Sequence, residues 1–198
     1  MILQNPLDEK ILRQVAKLHK EAISTGFLPT LGEEFLFCLY KAISLSDKAV
    51  LLVDVENGEV RGFVAGSLEF EDIKRILLKE CKYTLLKVLV KLLLNPKRLF
   101  KFLETYRYMG QAEELDLPLA ELLSIAAKPS YRKRGIATNL YKALTDYMER
   151  WGVDKFKIVV GENLKEAQKF YEKMGAKKVK EFGLHKGEKS FIYIQKVE

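Results

Sequence analysis

The sequence predicts a mixed α/β fold of the α+β kind: a mostly antiparallel central sheet with one parallel pair, flanked by helices. Three observations predict it. Two β-rich runs, 49–55 and 60–68, are separated by Glu56-Asn57-Gly58-Glu59, and Asn-Gly is the strongest short signal for a tight hairpin. Before them, apolar residues recur at helical spacing. After them, an apolar run at Leu119–Ala127 leads through a glycine turn and a helical pattern to a second strand at 155–160. Strand, helix, strand implies a parallel crossover.

In chain order, residues 7–22 place Ile11, Val15, Leu18 and Ala22 on one helical face, with Pro6 near the start and Asp8 and Glu9 in the first turn. Thr25-Gly26-Phe27-Leu28-Pro29 breaks that pattern. A second helix over 32–44 turns Phe35, Leu39, Ala42 and Ile43 inward. Phe27 and Leu28 in the loop between them read as core anchors or as walls of an acceptor pocket. Gly62 and Gly66, inside the second β-run, mark a bulge or the close approach of another segment.

The stretch from Asp72 to Gly110 reads as two basic, apolar helices broken at Asn95-Pro96. Its apolar core, Tyr83–Leu94, contains Lys87 and Lys91 and is too short to span a bilayer. Packing against the domain or a sister subunit in a homodimer, walling the acceptor site, and peripheral contact with an anionic membrane all remain open to it. Nucleic acid is not expected, because Leu and Val rather than stacking aromatics lie between the lysines. Beyond the central helix, Trp151-Gly152-Val153 is a stop, and Asn163 is expected to cap a helix with Glu166 as its capping-box partner. That helix buries Ala167, Phe170, Tyr171 and Met174 and ends at Gly175. Residues 176–182 and 190–197 read as closing strands around a loop at 183–189.

A chain of 198 residues suits one domain, 1–198, and its 48% hydrophobic and 31% charged content suits a globular protein. The formal charge is +7. Residues 71–110 hold ten Lys/Arg against four Asp/Glu, so this stretch alone supplies six of those charges. Cys38 and Cys81 stand alone among apolar neighbours and read as reduced core residues. Two cysteines and two distant histidines argue against zinc, and we expect no metal. The first residues lack the basic start and apolar core of a signal peptide, so a cytoplasmic location is expected.

The segment from Glu121 to Leu144 carries the chemistry. A helix start leaves four backbone N–H groups without partners and concentrates the positive end of the macrodipole, and a phosphate satisfies both. Gly135 lets the backbone curl close to a ligand, and Ala137 keeps a nearby position small. Arg132, Lys133 and Arg134 add positive charge. Neither G-x-G-x-x-G nor G-K-[ST] occurs.

Arg132-x-x-Gly135-x-Ala137 after Ile125-Ala126-Ala127-Lys128-Pro129-Ser130-Tyr131 resembles the acetyl-CoA-binding motif of the GNAT acetyltransferase superfamily. Asn163, followed by Tyr171 and then Gly175-Ala176, resembles a second signature of the same family. The resemblance covers about 49–68 and 121–197, and residues 71–110 depart from it as a helical insertion.

It implies a GNAT-like sheet and an N-acetyltransferase that uses acetyl-CoA as co-substrate, with a primary amine of a small molecule or peptide attacking directly in a ternary complex. It assigns pyrophosphate contacts to the backbone around Arg132, Lys133, Gly135, Ala137 and Thr138. Ile125 and Ala127 would offer main-chain groups to the pantetheine, in a slot opened where a bulge splays the central strand from its parallel neighbour. Asn163 would bond the cofactor arm or the loop around it.

Amine attack on a thioester requires a proton acceptor for nitrogen and a proton for the departing thiolate. Tyr171 is the candidate acid and Glu121 the candidate base, directly or through water. Glu69 and His185 compete for the second role. His19, a lone helical histidine, reads as structural before catalytic. Strand N–H groups would meet the oxyanion. Two other functions are compatible with these residues: a non-catalytic CoA- or anion-binding module, and a membrane-associated acyltransferase.

Overall fold

The computed structural model describes residues 1–23, 27–95, 117–185 and 188–197; at 182, 184, 185 and 188 it describes the backbone alone. The chain runs β1 (Ile2–Leu3), α1 (Glu9–Ala22), α2 (Glu33–Leu45), β2 (Ala49–Glu56), β3 (Glu59–Ser67), α3 (Phe70–Glu80) and α4 (Lys82–Leu93). It continues with β4 (Glu121–Ala127), α5 (Ile136–Arg150), β5 (Lys155–Gly161), α6 (Lys165–Lys173), β6 (Lys177–His185) and β7 (Glu188–Lys196).

Local chemistry sets the ends of these elements. Asp8 accepts a hydrogen bond from the Ile11 N–H at 2.8 Å and so caps α1. Asn57 and Gly58 both take positive φ, 50° and 75°, as the hairpin turn between β2 and β3 requires. The short β1, which the sequence does not announce, pairs with β2.

The strands form one sheet in the order β1-β2-β3-β4-β5-β7-β6, and among the described strands only β4 and β5 run parallel. The predicted architecture is therefore the observed one. The last hairpin is longer than expected: β6 and β7 pair from Lys177 with Ile194 out to His185 with Glu188.

Each face of the sheet carries a core. On one face α1 and α2 pack over Leu51, Val53, Phe63, Ala65 and Ala126. On the other, α5 and α6 pack over Val50, Val64, Leu122, Ile158 and Tyr193. Alternation along each strand sends successive side chains to opposite cores, which is why Ala49 to Val53 of β2 and Gly62 to Gly66 of β3 carry no polar side chain at any position.

Gly62 and Gly66 permit α5 to lie close. A Cβ at Gly62 would come within 2.7 Å of Ile136, and one at Gly66 within 2.5 Å of Leu144. Both expectations for this strand are met, because a bulge also falls beside Gly66.

Cys38 on α2 and Cys81 between α3 and α4 form a buried disulfide, which corrects the reading of both as reduced thiols. Sequence spacing could not reveal it, because the two cysteines meet only when α3 folds back over α2. The bridge spans a sequence separation of 43, and closing such a loop in the unfolded chain is worth about 4 kcal/mol in the chain-entropy model.

Among the described residues the basic stretch forms α3 and α4, which meet at Cys81 rather than at the expected break, Asn95-Pro96, and the part of the expected insertion at 96–110 falls outside the described residues. Leu86, Leu89, Val90, Leu93 and Leu94 on and just after α4 are exposed. No helix among the described residues is long and apolar enough to cross a membrane.

Candidate active site

The site begins where the sheet comes apart. β4 and β5 are paired only at Glu121 with Lys157 and Leu122 with Ile158. Beyond Leu122 the two strands diverge, while β4 keeps its pairing with β3 as far as Ala127 with Gly62. A bulge marks the point of divergence. Ala65 faces Ser124 and Gly66 faces Leu122, so Leu123 is the extra residue. The bulge leaves Leu123 and Ser124 on the same face, toward α1 and α2, where Leu123 joins that core and Ser124 meets Tyr40. Ile125 and Ala127 lie on the opposite face, half-buried against the core under α5.

At the end of β4 the chain turns into α5 through Pro129–Tyr131, a single 3-10 turn. The turn is fastened to the start of β3: Glu59 pairs closely with Lys128 and accepts a hydrogen bond from the Tyr131 hydroxyl at 3.2 Å. Lys128 and Tyr131 hold the Glu59 carboxyl below its usual range. Arg61 and Arg134 both lie over the Tyr131 ring, at 5.9 and 5.3 Å.

Lys133 and Gly135 then take left-handed backbone angles, φ 62° and 79°. Gly135 is the N-cap of α5, whose first turn has no side-chain cap and no acidic residue. Open space surrounds the position a Gly135 Cβ would occupy. Arg132, Lys133 and Gly135 are exposed, and Ala137 and Thr138 are half-buried on the first turn. An uncapped helix start with a bare glycine and basic neighbours can hold an anion.

Tyr171 on α6 is buried among aromatic rings, 6.1 Å from Tyr141, 5.4 Å from Phe170 and 6.5 Å from Tyr193. Burial pushes its phenol well above the usual value, so it stays protonated throughout the physiological range. Its hydroxyl donates to no protein acceptor among the described residues. It shares one core with Ile125, Ala127 and Ile136, which places acid candidate, strand end and helix start on the same side of the sheet.

Asn163 does not cap α6, which corrects that expectation. The N-cap position is Leu164, without a side-chain bond. Gln168 does the fastening instead, donating from Nε2 to the carbonyls of Gly161 and Glu162, both at 2.9 Å. Gln168 reaches the turn from inside the helix, so the N-x-x-E pattern is not used as a box. Asn163 is exposed in the turn after β5.

Glu121 stands at the vertex of the divergence, on the face toward α1 and α2. Its Oε2 lies 3.4 Å from Lys157 Nζ. Burial raises the Glu121 carboxyl above its ordinary value and Lys157 opposes that shift. Lys157 is itself buried and donates to the carbonyls of Pro118 and Leu119, at 2.8 and 3.4 Å. Glu69 is exposed at the start of α3. His185 is on β6, and its side chain lies outside the described residues.

Sequence reasoning passed over one polar cluster. His19 on α1 is 2% exposed, with Nδ1 2.5 Å from the Tyr40 hydroxyl, and Tyr40 lies 2.9 Å from Ser124 Oγ. No signal in the chain could have joined residues 19, 40 and 124, because only the packing of α1 and α2 on the bulged strand brings them together.

The chain matches the acetyltransferase (GNAT) family model over residues 15–176 and belongs to that family. Solved structures with the same fold include the ribosomal-protein-S18-alanine N-acetyltransferase of Escherichia coli, at 15% identity and TM-score 0.60 over 100% of this chain and 95% of that one. An aminoglycoside 6'-N-acetyltransferase complexed with coenzyme A is similar at 12% identity and TM-score 0.65, over 100% and 97% of the two chains. Arabidopsis thaliana NAA60 in complex with acetyl-CoA is similar at 16% identity and TM-score 0.61, over 100% and 99%. No curated protein matches the chain.

Proposed function

We propose that this single-domain protein transfers an acetyl group from acetyl-CoA to a primary amine of a small molecule or peptide, by direct attack in a ternary complex. The observation that carries the reading is the uncapped start of α5, with left-handed Gly135, set at the end of the strand that parts from β5. The pyrophosphate would lie on the N–H groups of Gly135 to Thr138 beside Arg132 and Lys133. The pantetheine would follow Ile125 and Ala127 into the slot, with Asn163 on its far side. The donor supplies an activated thioester; the chain's own groups orient it and manage two protons. Tyr171, a weaker acid than the thiol because burial raises its phenol, would share its proton through a hydrogen bond with the sulfur as thiolate charge develops there. Glu121, at the vertex, would take the proton lost by nitrogen.

Coenzyme A should raise the melting temperature. At a hundredfold excess over Kd the gain is about 2.7 kcal/mol, or about 5–11 °C for a chain of this size. No shift with either coenzyme A or acetyl-CoA removes the reading.

The base assignment predicts a pH effect. Burial favours the neutral Glu121 carboxyl, and a protonated carboxyl cannot accept a proton, so activity should fall with acidification at a pH above the ordinary carboxylate range. Glu121→Gln should lower kcat by about 10²-fold and erase that acid limb. An unchanged pH profile in the variant would assign the base elsewhere.

A further inference from the structure

We propose that Ser124 is a catalytic hydrogen-bond donor and that His19 and Tyr40 are positioning residues, which aim its hydrogen at the thioester oxygen in the opening between β4 and β5. The inference rests on the acetyl-transfer reading above and adds a function to a cluster that reading leaves unused.

The protons available to the three side chains fix the direction of their hydrogen bonds. Burial lowers the His19 pKa to about 4, so the ring is neutral at physiological pH and carries one N–H. Nδ1 faces Tyr40, whereas the buried Nε2 meets no partner among the described residues. A buried N–H without an acceptor is rarer than an acceptor without a donor. The proton therefore sits on Nδ1 and is donated to the Tyr40 oxygen.

The phenol's own hydrogen then goes to Ser124 Oγ, and burial keeps that phenol protonated. What remains is the Ser124 hydrogen, which has no acceptor among the described residues. Bonds in such a row polarise one another, so the last donor is strengthened.

The rings are fixed in place. His19 stacks on Phe63 with an interplanar angle of 15°, and Tyr40 meets the same ring edge-on at 5.1 Å between centroids. Ser124 follows the bulge residue Leu123 on β4, next to Ile125, at the second position beyond the two pairs with β5. It is half-buried and lies on the face of α1 and α2, opposite the face where α5 begins.

As the nitrogen lone pair forms the C–N bond, the carbonyl π pair moves onto oxygen. When the C–S bond breaks, that pair returns and sulfur leaves as thiolate. Nitrogen loses its proton to Glu121 and the thiolate accepts a hydrogen bond from Tyr171. Ser124 gives up no proton; it holds the oxygen while negative charge is there.

Two measurements test this. The chain has two histidines, so long-range proton–nitrogen NMR of the full-length protein reads the His19 tautomer without an acceptor amine. The Nδ1–H form is expected from pH 6 to 8, and the Nε2–H form would overturn the proton assignment.

Thiol release from acetyl-CoA with a panel of primary amines then reads the role. Ser124→Ala should lower kcat by about 10²-fold while the coenzyme A-induced melting shift is kept. Ser124→Thr, which keeps the hydroxyl, should restore most of it. Combining Ser124→Ala with Tyr40→Phe should cost no more than Ser124→Ala alone, since the relay acts only through the serine. Undiminished turnover in Ser124→Ala, or additive losses, overturns the inference with acetyl transfer left standing. No melting shift, or no turnover, in the unaltered protein overturns acetyl transfer itself and this role with it.

Discussion

Gly135→Val should abolish the rise in melting temperature produced by coenzyme A, while the protein without ligand loses about 1–3 kcal/mol of stability. The reason is conformational. Gly135 sits at φ 79°, a region that a β-branched residue enters only under strain. Nothing lies within 4 Å of the position its Cβ would take, so the substitution does not collide with the body of the protein. Instead it twists the turn that aims the first N–H groups of α5, and it puts two methyl groups where a diphosphate would approach. Paired melting curves with and without coenzyme A measure both effects. A variant that still shows the full shift would mean that the anion is held elsewhere.

Tyr171→Phe should lower kcat by about 10²–10⁴-fold and leave the affinity for coenzyme A unchanged. The ring stays among Tyr141, Phe170 and Tyr193, and the lost hydroxyl bonds to no protein group among the described residues, so folding is barely touched. Because burial raises this phenol, its protonated form persists at alkaline pH, and the unaltered enzyme should show no alkaline loss of kcat from this group below about pH 10. Thiol release and calorimetric binding separate the two parameters. Equal kcat in the variant would pass the role of acid to another group or to water.

The fold was legible because its signals are local. Asn57-Gly58 fixes a turn by backbone preference, Asp8 caps a helix three residues on, and Gly175 at φ 96° ends another. The helix start at Gly135 was legible for the same reason. What the chain concealed depends on residues far apart in sequence. Cys38 and Cys81 pair across packed helices, Lys157 arrives beside Glu121 from a different strand, and His19 reaches Ser124 through Tyr40. Asn163 misled in the opposite direction. A local pattern predicted a cap, and Gln168 from the interior of the helix took the bonds instead.

The two rungs that join β4 to β5 are the whole strand-to-strand seam between four strands on one side and three on the other. Mechanical compliance of the sheet is therefore concentrated at Leu122 and Ile158, where a small rotation of one half against the other widens or narrows the gap beyond them. A ligand lodged in that gap would act as an extra rung. Amide exchange along 156–160 should slow when the gap is filled, far more than exchange along β2, which is braced by neighbours on both sides.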